Sequence, residues 1–149
     1  LREEHVALIG DRGVAERTKL VEELLVEAID DGALRLKDLG PRRILFHGHC
    51  HQKALAGTAS TVELLRRIPN TEVVELDAGC CGMAGSFGFE KEHYELSMRI
   101  GGMRLFPAVR REPAATLIAA TGVSCRQQIT HGTGRSARHP VQIVRDALE

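Results

Sequence analysis

Three short apolar runs most constrain what this chain can fold into: "RRILFHG" (42–48), "TEVVELDAG" (71–79) and "ATLIAATG" (115–122), each ending on a glycine. Runs of this length, bounded by breakers, predict strands, the first of them, 42–48, a buried one. The stretches between them carry a helical period. "STVELLRRI" (60–68) puts Val62, Leu65 and Ile68 on one face, with Ser60 or Thr61 as the expected cap. "EKEHYELSMRIGGMRLFPAV" (90–109) predicts a second helix and "HPVQIVRDALE" (139–149) a closing one. Strand and helix alternate three times, which argues for an α/β fold: a small parallel sheet of three or four strands with helices on both faces. Ahead of it, "VAERTKLVEELLVEAID" (14–30) spaces Val14, Leu20, Val21, Leu24, Leu25 and Ala28 as a helix stopped near Gly32. The expected organisation is a helical lead-in over 1–40 and an α/β domain over 41–149.

Ligands of parallel α/β sheets gather beyond the C-terminal strand ends. Each of the four cysteines follows one of the predicted strands: Cys50 the first, Cys80 and Cys81 the second, Cys125 the third. The fold should therefore bring all four to one edge of the sheet, matching the coordination number of Zn²⁺ or of an iron–sulfur cluster. Zinc sites commonly use paired C-x-x-C turns, and this chain has none. Adjacent cysteines point apart on extended backbone, so Cys80 and Cys81 suit the separate corners of a cluster better than one small ion. Glycines at 79, 82, 85 and 88 allow close backbone approach around the pair. Any single cysteine would more often be an inert buried thiol, and a strained vicinal disulfide is disfavoured; four thiols at strand ends favour metal. His47, His49 and His51 bracket Cys50, residue types that suit zinc, proton transfer or substrate contact. The glycine spacing is not that of a dinucleotide loop. "SCRQQITHGTGRSARHP" (124–140) reads equally as an anion- or cofactor-facing loop or as an ordinary basic surface.

Composition narrows the class. The 20 Lys and Arg balance the 20 Asp and Glu, and aromatics make up 3% with no Trp, which disfavours a nucleic-acid partner. No apolar run approaches the ~20 residues of a membrane span. Four cysteines without a secretory signal point to a reducing compartment, hence a cytoplasmic location. The first residue, Leu1, is not an initiator Met, so a piece of a longer protein is expected.

The segments "HGHCHQKAL", "GCCGMAGSFG", "HYELSMRIGGMRLFPAVR" and "SCRQQITHGTGRSARHP" together resemble the cysteine-rich CCG domain found in heterodisulfide reductases and in iron–sulfur subunits of the glycolate oxidase type. The wording is most similar to the C-terminal domain of FAD-linked, D-lactate-dehydrogenase-like oxidases fused to iron–sulfur modules. The resemblance covers residues 42–149 well. It implies an electron-transfer domain of an FAD-linked oxidoreductase acting on a 2-hydroxyacid such as D-lactate or glycolate. It further implies an iron–sulfur cluster on Cys50, Cys80, Cys81 and Cys125, which air exposure of the isolated domain could strip. FAD and ferredoxin-type domains would lie on the parent protein, which could associate with the inner face of the membrane. Gly122 stands where the family pattern has the first cysteine of a terminal C-x-x-C, so help from His47 or His51 is expected. The residues leave open a zinc-binding structural or interaction domain, or a thiol–disulfide module.

Overall fold

The computed structural model describes residues 4–149, the side chain of His5 excepted. Its sheet has four parallel strands in the order β2-β1-β3-β4: β1 (Arg42–His47), β2 (Thr71–Glu75), β3 (Leu117–Ala120) and β4 (Ala137–Arg138). The expected α/β sheet is therefore the one formed, with the first predicted strand at its centre. Ile44 pairs with Val73 on one side and Leu117 on the other, and His47 lies beside Ala120.

Period-two alternation along β1 and β3 sends successive side chains into two different cores. Ile44, Phe46 and Ala119 pack against Val62, Leu64 and Leu65 of α5 (Ala59–Arg66) and Ile143 and Val144 of α9 (Pro140–Asp146). Leu45, Ile118 and Ala120 face the other way, onto Leu105, Phe106 and Val109 of α7 (Leu105–Arg111) and Ile129 of α8 (Val123–Thr133). Helices thus cover both faces, as expected. Leu25, Val26 and Ile29 of α3 (Val21–Asp30), with Leu36 and Leu39, pack on the first core. The segment after α3 is tied to the chain's end: Lys37 N–H donates to the Ala147 carbonyl at 2.8 Å, and Leu36 bridges Leu148.

Four expectations need correction. The lead-in is not one helix over 14–30 but α1 (Glu4–Ile9), α2 (Gly13–Arg17) and α3. Thr18 turns extended (ψ 116°) with its hydroxyl on the Val14 carbonyl at 2.7 Å, and the Leu20 N–H then donates to the Glu23 carboxylate at 2.8 Å to restart the helix. Gly32, at φ +74°, ends it as expected. The helix expected over 90–109 begins only at Tyr94 and splits at Arg104 (φ −137°) into α6 (Tyr94–Met103) and α7. Pro107 is the reason: it lacks an N–H and its ring clashes with the fourth carbonyl back, so the helix restarts with Pro107 in a first turn, where no N–H is needed.

The stretch 124–140 is not a loop; it is mostly α8, followed by β4. Its buried face carries Gln128 and Gly132 beside Ile129, which dilutes the helical hydrophobic signal. Ser60 and Thr61 lie inside α5, with Thr58 at the cap position. Thr61 is instead fully buried and accepts a hydrogen bond from the Gln52 amide at 2.9 Å.

Candidate metal centre

All four cysteines lie past the C-terminal ends of the strands that precede them, and all are free thiols. Their environments differ. Cys50 opens α4 (Cys50–Leu55) and is exposed; Cys80 is half-buried; Cys81 and Cys125 are buried. Neighbours in sequence, Cys80 and Cys81 differ in burial, and of the two only Cys81 belongs to the inner group of ligand atoms.

The innermost group is His47, Cys81 and Cys125. One potential ligand atom from each lies within 4.8 Å of the others. His47 is the last residue of β1, two on from Leu45, so alternation sends it to the face where α8 presents Cys125. It is 1% exposed, and neither ring nitrogen has a hydrogen-bond partner. Leaving a buried polar group unpaired costs roughly 1–3 kcal/mol. An imidazole beside two buried thiols is a donor set that could hold a metal ion, and the residue types fit one.

One thiol of the inner pair, Cys81, is biased towards the ligating thiolate, and its neighbours are biased away from it. Facing Cys125 holds the Cys81 thiol well below the ordinary range; burial opposes this, and the nearby His47 imidazole and the Met83 N–H reinforce it. Contact with Cys81 and burial push Cys125 up. The pair therefore keeps one proton between them, which a metal would expel. Burial, first, raises Cys80, while the Gly82 N–H, donating to its sulfur at 3.3 Å, lowers it; the charges of Cys81 and Cys50 raise it further. Cys50 and Cys80 thus lie within electrostatic reach of the inner group without closing on it.

The loop carrying the pair is stapled down at Gly82. Its φ is +96°, and a Cβ there would sit 2.2 Å from the Ser97 carbonyl oxygen. Ser97, buried in α6, accepts from the Gln128 amide on both its hydroxyl (2.9 Å) and its carbonyl (3.2 Å). Gln128 stands three residues after Cys125, on the same side of α8. Loop, α6 and α8 are thereby locked, setting Cys81 against Cys125. Sequence reasoning missed Ser97 and Gln128; the one available signal was the i, i+3 spacing of Gln128 from a candidate ligand.

His51 is exposed and lines a hollow of about 320 Å³ with Leu20, Glu22, His49 and Gln52, its ring centroid 6.3 Å from that of His49. It is not part of the inner group. The cations of 124–140 serve the scaffold. Arg126 donates to the carbonyls of Ala120 (2.9 Å) and Thr121 (2.7 Å), Arg135 to that of Thr116 (2.7 Å), and Arg138 pairs with Asp146 (2.6 Å). No helix among the described residues is long and apolar enough to cross a membrane.

Fold and site together define a parallel α/β domain with a cysteine–histidine centre at its strand ends. The chain belongs to the cysteine-rich domain (CCG) family, whose model matches residues 44–130. It is 36% identical to a subunit of the anaerobic glycerol-3-phosphate dehydrogenase of Escherichia coli K12, across 99% of this chain and 37% of that protein. It is 29% identical to the D-2-hydroxyglutarate dehydrogenase of Pantoea ananatis, across 99% of this chain and 14% of that protein. With the glycolate oxidase iron–sulfur subunit of E. coli K12 it shares 25% identity, over 95% of this chain and 35% of that protein. The chain thus spans between about a seventh and just over a third of the length of these relatives. No solved structure matches it significantly.

Proposed function

We propose that this chain is the electron-carrying domain of a flavin-linked oxidoreductase. In that role Cys50, Cys80, Cys81 and Cys125 hold an iron–sulfur cluster and His47 completes or tunes it. The single observation that carries this reading is the orphaned, buried His47 set against the paired sulfurs of Cys81 and Cys125. A bound cluster would supply one-electron storage, its potential set by thiolate charge, N–H donors and burial. The chain's own part is to fix the sulfurs, exclude water from Cys81 and Cys125, and surrender their shared proton on loading. Substrate oxidation belongs to the flavin module, and the relatives' names, a phosphorylated polyol and two hydroxyacids, suggest a small molecule with an oxidisable carbinol carbon; a 2-hydroxyacid such as D-lactate or glycolate is the proposed class. The partners are the FAD-binding and ferredoxin-type domains of the same protein or complex, in the cytoplasm.

The close spacing of one nitrogen and two sulfurs also favours a second reading, a structural zinc site. Anaerobic reconstitution followed by iron and acid-labile sulfide analysis separates the two. Iron and sulfide in comparable amounts, lost on Cys81→Ser, support the cluster. Stoichiometric zinc with no iron after reconstitution would sink it.

A further inference from the structure

Gly122 is not a glycine of conformational need. Its backbone (φ −73°, ψ 134°) is open to any residue, and as the N-cap of α8 a Ser, Thr, Asn or Asp would serve better. What it supplies is space. A Cβ at 122 would lie 2.5 Å from Cδ2 and 3.1 Å from Cγ of His49, and 3.0 Å from the Cys125 sulfur. The His49 ring and the Cys125 thiol therefore share the small volume that any side chain at 122 would fill. His49 lies outside the His47–Cys81–Cys125 group whose ligand atoms fall within 4.8 Å of one another; the ring atom nearest the space at 122 is a carbon, Cδ2, and a half-turn of the ring puts Nδ1 in its place.

His49 is held there from its backbone. Its N–H donates to the Thr121 hydroxyl at 3.3 Å, which donates to the Gln52 carbonyl oxygen at 2.7 Å, and the Gln52 amide donates to buried Thr61 at 2.9 Å. This chain of bonds ties the segment after β1 to the loop after β3. The half-buried ring itself makes no hydrogen bond among the described residues.

Resting on the cluster reading above, we infer that His49 is a metal ligand: its imidazole supplies the donor at the Gly122–Cys125 corner, where no side chain projects from 122. A neutral nitrogen there in place of a thiolate removes one negative charge from the centre and favours its reduced form.

The test uses the chain reconstituted anaerobically with iron and sulfide, beside His49→Ala, His51→Ala, Gly122→Ala and the double variant His49→Ala/Gly122→Cys. Loss of a direct ligand should speed iron loss to a chelator by about tenfold or more, the scale set by loss of outer partners alone. We expect that loss in His49→Ala, and in Gly122→Ala, which evicts the ring, but not in His51→Ala. The double variant should recover iron retention and show a lower reduction potential than the parent chain. Pulsed EPR with ¹⁵N-labelled histidine should show a nitrogen coupling removed by His49→Ala, kept in His51→Ala and distinct from any coupling that His47→Leu removes. Thermal unfolding of the metal-free variants, expected to match the parent for His49→Ala, separates ligand loss from misfolding.

If no iron and sulfide load, the cluster reading fails, and Co²⁺ tests His49 separately. A tenfold weaker Co²⁺ affinity confined to His49→Ala and Gly122→Ala sustains the inference. Iron retention and Co²⁺ affinity unchanged in His49→Ala overturn it, and a chain that binds neither metal overturns both readings.

Discussion

Replacing Gly82 by alanine tests the claim that one contact between loop and helix sets Cys81 against Cys125. Two penalties arise from separate features. An L-residue at φ +96° costs roughly 1–2 kcal/mol. The added methyl would also meet the Ser97 carbonyl oxygen at 2.2 Å, and that oxygen cannot retreat. It belongs to α6 backbone whose own N–H is bonded to His93 at 2.8 Å, and it accepts from Gln128. Overpacking of this kind costs typically about 1–3 kcal/mol. The sum, roughly 2–5 kcal/mol, should lower the unfolding midpoint of the metal-free chain by about 4–20 °C at about 2–4 °C per kcal/mol. Gly85→Ala is the control: its φ is +69° but nothing lies within 4 Å of a Cβ there, so only the conformational part applies. Differential scanning calorimetry of both variants reads the difference directly. Gly82→Ala should also weaken metal retention, because the loop can relieve the clash only by lifting off α6 and carrying Cys81 from Cys125. Equal midpoints for the two variants would refute the reasoning, since the Ser97 contact would then be worth nothing.

Other expectations follow from the same geometry. His47→Leu removes the imidazole that faces Cys81 and helps hold its thiol low, so it should reduce metal content and slow alkylation of Cys81 in the metal-free chain at a given pH, read by metal analysis and peptide mass spectrometry. Gly132→Ala drives a methyl to 2.3 Å from Cζ of the buried Phe106 ring, and should cost about 1–3 kcal/mol; combined with Phe106→Leu the loss should be less than additive in a double-mutant cycle. The Arg43 guanidinium, bonded at 2.9 Å, holds the Glu112 carboxyl below its usual range, with burial opposing and Thr116 assisting. The unfolded chain therefore protonates Glu112 at higher pH than the folded one. Its contribution is complete above the ordinary carboxylate range and is lost as pH falls through the lowered folded value. Glu112→Gln should accordingly flatten the fall in stability below about pH 4 in acid titrations. Finally, iodoacetamide near neutral pH should modify exposed Cys50 well before buried Cys81 and Cys125, with peptide mass spectrometry as the readout; rapid labelling of Cys81 would instead favour a thiol–disulfide role.

The central strands β1 and β3 were legible as apolar runs buried on both faces, and the edge strand β2, none of whose residues is buried, by its paired valines between turn signals. From the order of elements alone, a cysteine just past each of the three strands had to reach one edge of a parallel sheet. Helix limits were less legible. Pro107 interrupts a pattern whose periodicity continues across it, and α8 hides its buried face behind Gln128 and Gly132.

The sequence by itself determined the α/β class, the sheet edge on which the thiols meet and the family to which they belong, because those depend on local periodicity and the order of elements. Which thiols are buried, and which histidine stands beside them, was decided only in three dimensions. Alternation along β1 sends His47 inward, the Ser97–Gln128 lock brings Cys81 to Cys125, and the missing side chain of Gly122 admits His49. Each is a contact between residues distant in sequence, set by register and close packing.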